Sequence, residues 1–228
     1  MAFSNSQHTV KRFDMEIQQL VELVLDMGQT VARQVSRAVE VFREGDATAA
    51  QEVVIGDEAV NRRDTEIDCG CVRLLSRRQP VSTDLRLVMA LNKAVNDLER
   101  IGDEAKTIAQ KTLTIHARGR RLRPEIFADV DRLADIASER VQGALDSLAR
   151  LDVDRAWTLI RADKKVEDVF QGGLRSLSAC AVDGEPALAT VIDAALALKA
   201  LQRVADRAQN LAEHVIYIVE GQDIRHGA

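Results

Sequence analysis

Oxygen-bearing side chains recur at a spacing of four residues along this chain of 228 residues. Two of these pairs, Glu99 with Asp103 and Asp163 with Glu167, consist entirely of carboxylates. Residues four apart lie one turn apart on the same face of an α-helix, so each pair presents both side chains in one direction. Carboxylate and amide oxygens are hard ligands that suit Mg²⁺, Mn²⁺ or Ca²⁺, and suit iron less well. The spacing therefore indicates candidate cation sites.

Long helices have to position these pairs, because the composition disfavours other folds. Aromatic residues are 3% of the chain, and there are only 3 prolines and 12 glycines. Most β-sandwiches and β-barrels need aromatic strands and frequent turns.

No window approaches 18 uncharged apolar residues, which disfavours a transmembrane helix, and the N-terminus does not resemble a signal peptide. Turn residues and helix caps predict six long helices: about 10–43, 46–78, 83–116, 125–150, 152–182 and 187–220.

The helix boundaries repeat along the chain. Five residues recur in type 106 positions later: Asp46, Ala50, Asp57, Val60 and Pro80 are matched by Asp152, Ala156, Asp163, Val166 and Pro186. After the proline the offset becomes 103, and Leu98-x-Arg100-x-x-Asp103 matches Leu201-x-Arg203-x-x-Asp206. Two copies of one supersecondary unit explain this pattern better than two unrelated domains. We therefore expect an all-α fold of two tandem antiparallel three-helix bundles, formed by residues 1–118 and 119–228.

The paired ligands share one position relative to the predicted core. In the third helix, apolar or small residues from Val88 to Ala109 alternate at three and four residues, which is a heptad seam. On four of the predicted helices, the second, third, fifth and sixth, the same two positions flanking the seam hold oxygen ligands. Two helices of each bundle could therefore combine their ligands beside the core. The first ligand set is Asp57, Asn61, Glu99 and Asp103, and the second ligand set is Asp163, Glu167, Gln202 and Asp206.

A simpler interpretation remains open for both sets. Acidic pairs at this spacing are common on solvated helix faces, where they form ion pairs with neighbouring bases. The candidate bases are Arg100, Lys106, Lys164 and Arg203.

Histidines and cysteines are not expected to take part in function. His8, His116, His214 and His226 lie near predicted helix ends or in the tails, and they are interpreted as surface residues. The sequence contains no Glu-x-x-His, the motif that ferritin-like di-iron enzymes place in a bundle core. Cys69, Cys71 and Cys180 lack zinc-site spacing and are expected to be reduced.

Four motifs occur in order along the chain: Phe13-Asp14-x-Glu16, the run Gln79-Pro80-Val81-Ser82-Thr83-Asp84-Leu85-Arg86, the run Asp97-Leu98-Glu99-Arg100-Ile101-Gly102-Asp103, and the run from Gly221 to His226. Together they closely resemble the PhoU family of phosphate-signalling regulators. The resemblance covers essentially the whole chain. It implies two tandem three-helix bundles, each with a Glu/Asp-x-x-x-Asp motif at which some members bind metal ions or multinuclear clusters.

The two halves match the family motif unequally. The first motif is Glu99-x-x-x-Asp103, with Asp57 and Asn61 on the neighbouring helix. In the second half the expected glutamate is Gln202, which offers a carbonyl oxygen but no charge, and Glu167 in place of an asparagine could return that charge. The resemblance implies divalent or transition metal ions (Mg, Mn, Fe or Zn) as cofactors.

The role that the resemblance implies is regulatory and not enzymatic. We expect a cytoplasmic adaptor, a negative regulator of phosphate uptake and of the phosphate-starvation response, which partners can recruit to the inner membrane face. Its partners would be the ATPase subunit of a phosphate ABC transporter, a phosphate sensor histidine kinase and a second copy of the chain. The net charge of −5 argues against nucleic acid as a partner. The alternatives are a metal-free helical dimerisation module and, much less favoured, a di-iron carboxylate enzyme.

Overall fold

A computed structural model describes residues 11–119, 124–182 and 188–224, and every regular element in these ranges is an α-helix. The all-α prediction is confirmed. The predicted repeat of Pro80 at Pro186 lies outside the described ranges, as do residues 120–123 between the third and fourth predicted helices. The helices are α1 (Lys11–Glu44), α2 (Ala47–Arg78), α3 (Ser82–Ala117), α4 (Pro124–Arg150), α5 (Val153–Arg161), α6 (Asp163–Val182) and α7 (Leu188–Glu220).

The starts of α2 and α5 are built in the same way, which supports the internal repeat. The Asp46 side chain accepts a hydrogen bond of 3.0 Å from the backbone N–H three residues ahead, and Asp152 does the same at 2.9 Å. These aspartates are N-caps that satisfy a free backbone donor of the first helical turn. The residue before each cap, Gly45 or Leu151, has a left-handed backbone with φ of 69° or 52°. The 106-residue offset therefore holds in backbone conformation as well as in sequence.

The fifth predicted helix is interrupted at Ala162 and forms α5 and α6. The Arg140 side chain on α4 donates a hydrogen bond of 2.7 Å to the backbone oxygen of Leu159. In a continuous helix that oxygen would accept from the N–H of Asp163. A donor inserted from a neighbouring helix is a known cause of such breaks, and no glycine or proline marks this one.

Helices α1, α2 and α3 pack against one another, as do α4, α5, α6 and α7. The two groups meet through α3 with α7 and through α1 with α4. The grouping agrees with two tandem bundles, while the boundary between residues 118 and 119 stays a prediction. The apolar seam of α3 is buried as expected, with Val88, Leu91, Leu98 and Ala105 fully inaccessible to solvent.

Helices α3 and α7 run antiparallel. Asp97 on α3 contacts residues late in α7, whereas Lys111, later in α3, pairs with Asp193 near the start of α7. In the internal repeat, residue i on α3 corresponds to residue i+103 on α7. Because the two helices are antiparallel, an approximate two-fold axis near Gly102 relates them. In the described part of the chain, no helix has the length and apolar character needed to cross a membrane.

Candidate metal sites and the contact between the repeats

Asp57 of the first ligand set is buried, with only 1% of its surface exposed. The expectation that the ligands lie beside the core is therefore wrong for this residue. Helices α2 and α3 approach closely where α3 carries Gly102, and a Cβ atom there would lie 3.4 Å from Asp57 Oδ1. The missing side chain lets the carboxylate enter the α2–α3 contact.

One oxygen of Asp57 is paired and the other is not. Lys106 Nζ donates to Asp57 Oδ2 at 2.9 Å, and Asn61 Nδ2 lies 3.4 Å from the same atom. Asp57 Oδ1 is buried and has no hydrogen-bond partner among the described residues. Part of the ion-pair interpretation is thus confirmed, because one of the four candidate bases does pair with this set.

Gln34 on α1 lies at the same place and was missed by the sequence analysis. Its Oε1 atom is also buried without a partner in the described part of the chain, and it would lie 3.5 Å from a Cβ at Gly102. Two acceptor oxygens that lack donors therefore flank one glycine. Nothing in the spacing of α1 residues distinguishes this glutamine, because its position depends on how α1 crosses α2 and α3.

Glu99 and Asp103 complete an acidic group around Lys106. Glu99 is half-buried while Asp103 is exposed. Burial raises the pKa of Glu99, and the nearby charges of Asp103 and Asp64 raise it further. The hydrogen bond and charge of Asp57 raise the pKa of Lys106, with smaller contributions from Asp103 and Glu99. The first ligand set is therefore one electrostatically connected group with a single ammonium near its centre.

The second ligand set is arranged differently. Gln202 Nε2 donates to Glu167 Oε2 at 2.7 Å, and Gln171 Nε2 donates to Glu167 Oε1 at 2.7 Å. Lys199 Nζ donates to Gln202 Oε1 at 2.7 Å. Both carboxylate oxygens of Glu167 thus accept from amides. The structure brings Glu167 and Gln202 together, Asp206 is exposed one turn further along α7, and the side chain of Asp163 lies outside the described residues.

Residues 11–119, 124–182 and 188–224 contain no cluster of three or more histidine, cysteine, aspartate or glutamate side chains suited to a metal ion. The two ligand sets depend in part on amide oxygens, which are outside that definition. Both sets stay predictions.

His214 is buried, so its interpretation as a surface histidine is wrong. Only 4% of it is exposed, and its Nε2 lies 2.9 Å from Asp97 Oδ2. Asp97 Oδ1 accepts from Asn210 Nδ2 at 3.0 Å and from Arg207 Nη1 at 3.2 Å. Burial alone would raise the pKa of Asp97, but the hydrogen bonds from His214 and Asn210, with the nearby charges, hold it below its usual value. This polar cluster joins α3 of the first repeat to α7 of the second.

One of the motifs that carried the resemblance contacts the residue that directly precedes another. Glu16 near the start of α1 accepts two hydrogen bonds of 2.8 Å from Arg78, the residue before the Gln79-Pro80 turn. A bidentate pair of this kind fixes orientation as well as distance. This ion pair therefore fastens the end of α2 to the start of α1.

The fold and the ligand sets define a tandem-repeat helical-bundle protein with an acidic, partly buried polar group at the α2–α3 contact. The PhoU domain family matches residues 24–112 and 130–215, once in each repeat, and the chain belongs to this family. The two matches lie on either side of the predicted boundary.

Relatives cover nearly the whole chain. A phosphate-specific transport system accessory protein PhoU homolog from Pseudomonas putida is 37% identical over 98% of this chain and 86% of its own length. The phosphate-specific transport system accessory protein PhoU of Escherichia coli K12 is 33% identical over 97% of this chain and 90% of its own length. The crystal structure of PhoU from Pseudomonas aeruginosa matches with a TM-score of 0.86 and 37% identity, over 92% of this chain and 100% of that one.

Proposed function

We propose that this chain is a non-enzymatic accessory protein of a phosphate-specific transport system. The observation that carries the proposal is the similarity to relatives of that name, at 33–37% identity over nearly the full chain. Both repeats match the family, so no extra domain within the chain needs a separate function. The adaptor works in the cytoplasm, and contact with a transporter recruits it to the inner membrane face.

In this role the chain links the transporter's ATPase subunit to a phosphate sensor histidine kinase and represses the phosphate-starvation response. Surface apolar residues support a protein-binding role: Leu85 and Met89 on α3 are 40% and 41% exposed, and their equivalents 103 residues later, Leu188 and Ile192, are 65% and 51% exposed. Apolar side chains that stay exposed at equivalent positions of both repeats are not needed for either core.

The test of the adaptor is a pull-down of the purified full chain with the ATPase subunit and with the kinase, each alone and both together. We expect each partner to be retained alone, and both to be retained together. Deleting the gene should switch on a phosphate-starvation reporter in phosphate-rich medium, and the wild-type gene should restore repression. Retention of neither partner, or a reporter that stays off after deletion, would overturn the adaptor role.

We further propose that the first ligand set holds a divalent or transition metal ion. The unpartnered buried oxygens of Asp57 and Gln34 fit this proposal, because a buried acceptor without a donor is costly unless a cation or water satisfies it. The negative charges of Asp103 and Asp64, which add to the effect of burial in raising the pKa of Glu99, fit it too. A metal ion bound here would supply positive charge that ties α2 to α3 and fixes their relative register.

The second ligand set fits a metal less well. To offer its carbonyl oxygen, the Gln202 amide would have to rotate and give up its hydrogen bonds to Glu167 and Lys199. We therefore propose tighter binding at the first ligand set than at the second.

Elemental analysis of protein purified without chelators and without a metal-affinity column tests both parts. We expect bound metal in the wild type and its loss from the Asp57→Ala/Asp103→Ala variant. An Asp131→Ala/Asp135→Ala variant, with the same charge change on α4, should retain it. Metal-free wild-type protein that also fails to take up Mn²⁺, Fe²⁺ or Zn²⁺ would leave the helical dimerisation module as the better account.

A further inference from the structure

A groove of about 350 Å³ lies between the first half of α1 and the second half of α2. Its lining includes three arginines, Arg12, Arg73 and Arg77, and two glutamates, Glu16 and Glu66. We call it the arginine groove. Leu20 and Leu74 form part of its lining and are buried. A concave surface with an apolar floor and charged walls excludes water from one side of a bound molecule, which strengthens polar contacts there.

Both glutamates of the arginine groove are already neutralised by arginines outside its lining. Glu16 accepts two hydrogen bonds of 2.8 Å from Arg78, which lower its pKa. Glu66 accepts a hydrogen bond of 2.7 Å from Arg63. The negative charges of the groove are therefore balanced without using Arg73 or Arg77.

Arg73 and Arg77 are left without partners. Both side chains are exposed, and neither guanidinium makes a hydrogen bond or an ion pair with any described residue. They lie four residues apart on α2, so they project from the same face with roughly 6 Å between their Cβ atoms. Arg12 adds a third positive charge from α1, although it lies 3.4 Å from Glu16 and shares that carboxylate with Arg78. The arginine groove thus has unbalanced positive charge in a protein of net charge −5.

The second repeat does not share these arginines in sequence. At the positions 106 residues after Arg73 and Arg77 it has Ala179 and Asp183. A small residue and an acid thus stand where the first repeat has two bases. The arginines are a property of the first repeat alone.

We propose that the arginine groove is a binding site for a ligand that carries phosphate groups. A guanidinium group presents a planar fork of donors that matches two phosphate oxygens. Two such groups one turn apart can hold one phosphate between them or two adjacent phosphates of a chain. The arginine groove shares no lining residue with the two acidic ligand sets. The proposal does not depend on the proposed adaptor role. The shared chemistry covers inorganic phosphate, pyrophosphate and the phosphate tail of a nucleotide.

Isothermal titration of the full chain with inorganic phosphate, pyrophosphate and ATP tests this proposal and distinguishes these sources. We expect at least one of them to bind, with an affinity that falls as salt concentration rises. Binding of phosphate alone indicates a one-phosphate site, whereas binding only of pyrophosphate or ATP indicates contact with adjacent phosphates. If titration with each of the three ligands gives no heat of binding, the proposal is overturned.

Variants locate the binding. Arg73→Gln/Arg77→Gln should weaken it by about tenfold or more, because it removes the charge-assisted hydrogen bonds that both guanidinium groups donate to phosphate. Arg62→Gln, an exposed arginine on the same helix whose side chain is 76% accessible, is the matched control and should not change it. Glu66→Gln removes a negative charge from the lining and should strengthen binding several-fold. All of these residues are exposed, so unchanged circular dichroism melting is expected. Equal affinity in Arg73→Gln/Arg77→Gln and wild type would overturn the proposal.

Discussion

His214 Nε2 lies 2.9 Å from Asp97 Oδ2, although 117 residues separate the two along the chain. Asp97 belongs to the third helix of the first repeat, and His214 to the last helix of the second. Both are almost fully buried. The pair therefore places a specific polar contact inside the interface of α3 with α7.

Asp97→Ala should destabilise the protein by about 3–5 kcal/mol, because it leaves the buried His214 and the half-buried Asn210 without their acceptor. Urea unfolding followed by circular dichroism measures the change. Asp135→Ala, which removes an exposed acid on α4, is the control and should stay within about 0.5 kcal/mol of wild type. Equal losses in the two variants would show that the Asp97 cluster does not hold the repeats together.

The same pair predicts a pH dependence. The pKa of Asp97 is lower in the folded protein than its usual value, since hydrogen bonds from its partners outweigh the effect of burial. A carboxyl group with a lowered pKa stabilises the fold above its unfolded value of about 4 and loses that contribution as pH falls through the folded value. The stability difference between wild type and Asp97→Asn should therefore be complete at neutral pH and shrink below about pH 4. A difference that is constant over this range would contradict the lowered pKa.

Lys106→Met should destabilise the metal-free protein by about 1–3 kcal/mol, because buried Asp57 loses its ammonium partner. If a metal ion uses the first ligand set, it competes with this ammonium. Added Mn²⁺ should then raise the melting temperature of Lys106→Met more than that of wild type. Lys165→Met, which removes an exposed lysine of α6, should respond to Mn²⁺ as wild type does. Equal responses in all three proteins would count against a metal at this site.

Gln202→Glu tests the second ligand set by restoring the charge that the first set has at Glu99. Without metal the variant should be less stable than wild type, because a second carboxylate replaces the amide that donates to Glu167 at 2.7 Å. Mn²⁺ should recover that loss and bind more tightly than it does to wild type. Thermal unfolding with and without Mn²⁺ measures both effects, and a variant that Mn²⁺ does not stabilise would show that this set cannot form a cation site.

Gly28→Ala should destabilise the protein by about 1–3 kcal/mol through overpacking. A Cβ on Gly28 of α1 would collide with the end of the Leu145 side chain on α4, which is buried in the contact between the repeats. Gly56→Ala is the matched control, because it lies in the interior of α2 with no atom within 4 Å of the added Cβ. That variant should be stabilised by about 0.5–1 kcal/mol from the lower entropy of its unfolded chain. Chemical denaturation of both variants measures the contrast, and a similar change in both would argue against close packing at Gly28.

The helices, their order and their repeat were predictable because they depend on local signals. Seam residues such as Leu91 and Leu98 recur at heptad spacing, and capping residues such as Asp46 and Asp152 lie at the expected starts. The break at Ala162 was not predictable, because its cause is Arg140 on another helix. Local periodicity does not report which donor a neighbouring helix will insert.

The sequence by itself determined the helical class, the internal repeat, the PhoU family and the residues that could hold a cation. Tertiary structure decided how those residues are used. Asp57 became buried because Gly102 lets α2 approach α3, and Lys106 then reached it as a counter-ion. His214 changed from an expected surface residue to a buried contact because α7 packs against α3. Heptad position fixes the direction of a side chain relative to its own helix, while the crossing of helices distant in sequence decides what that side chain meets.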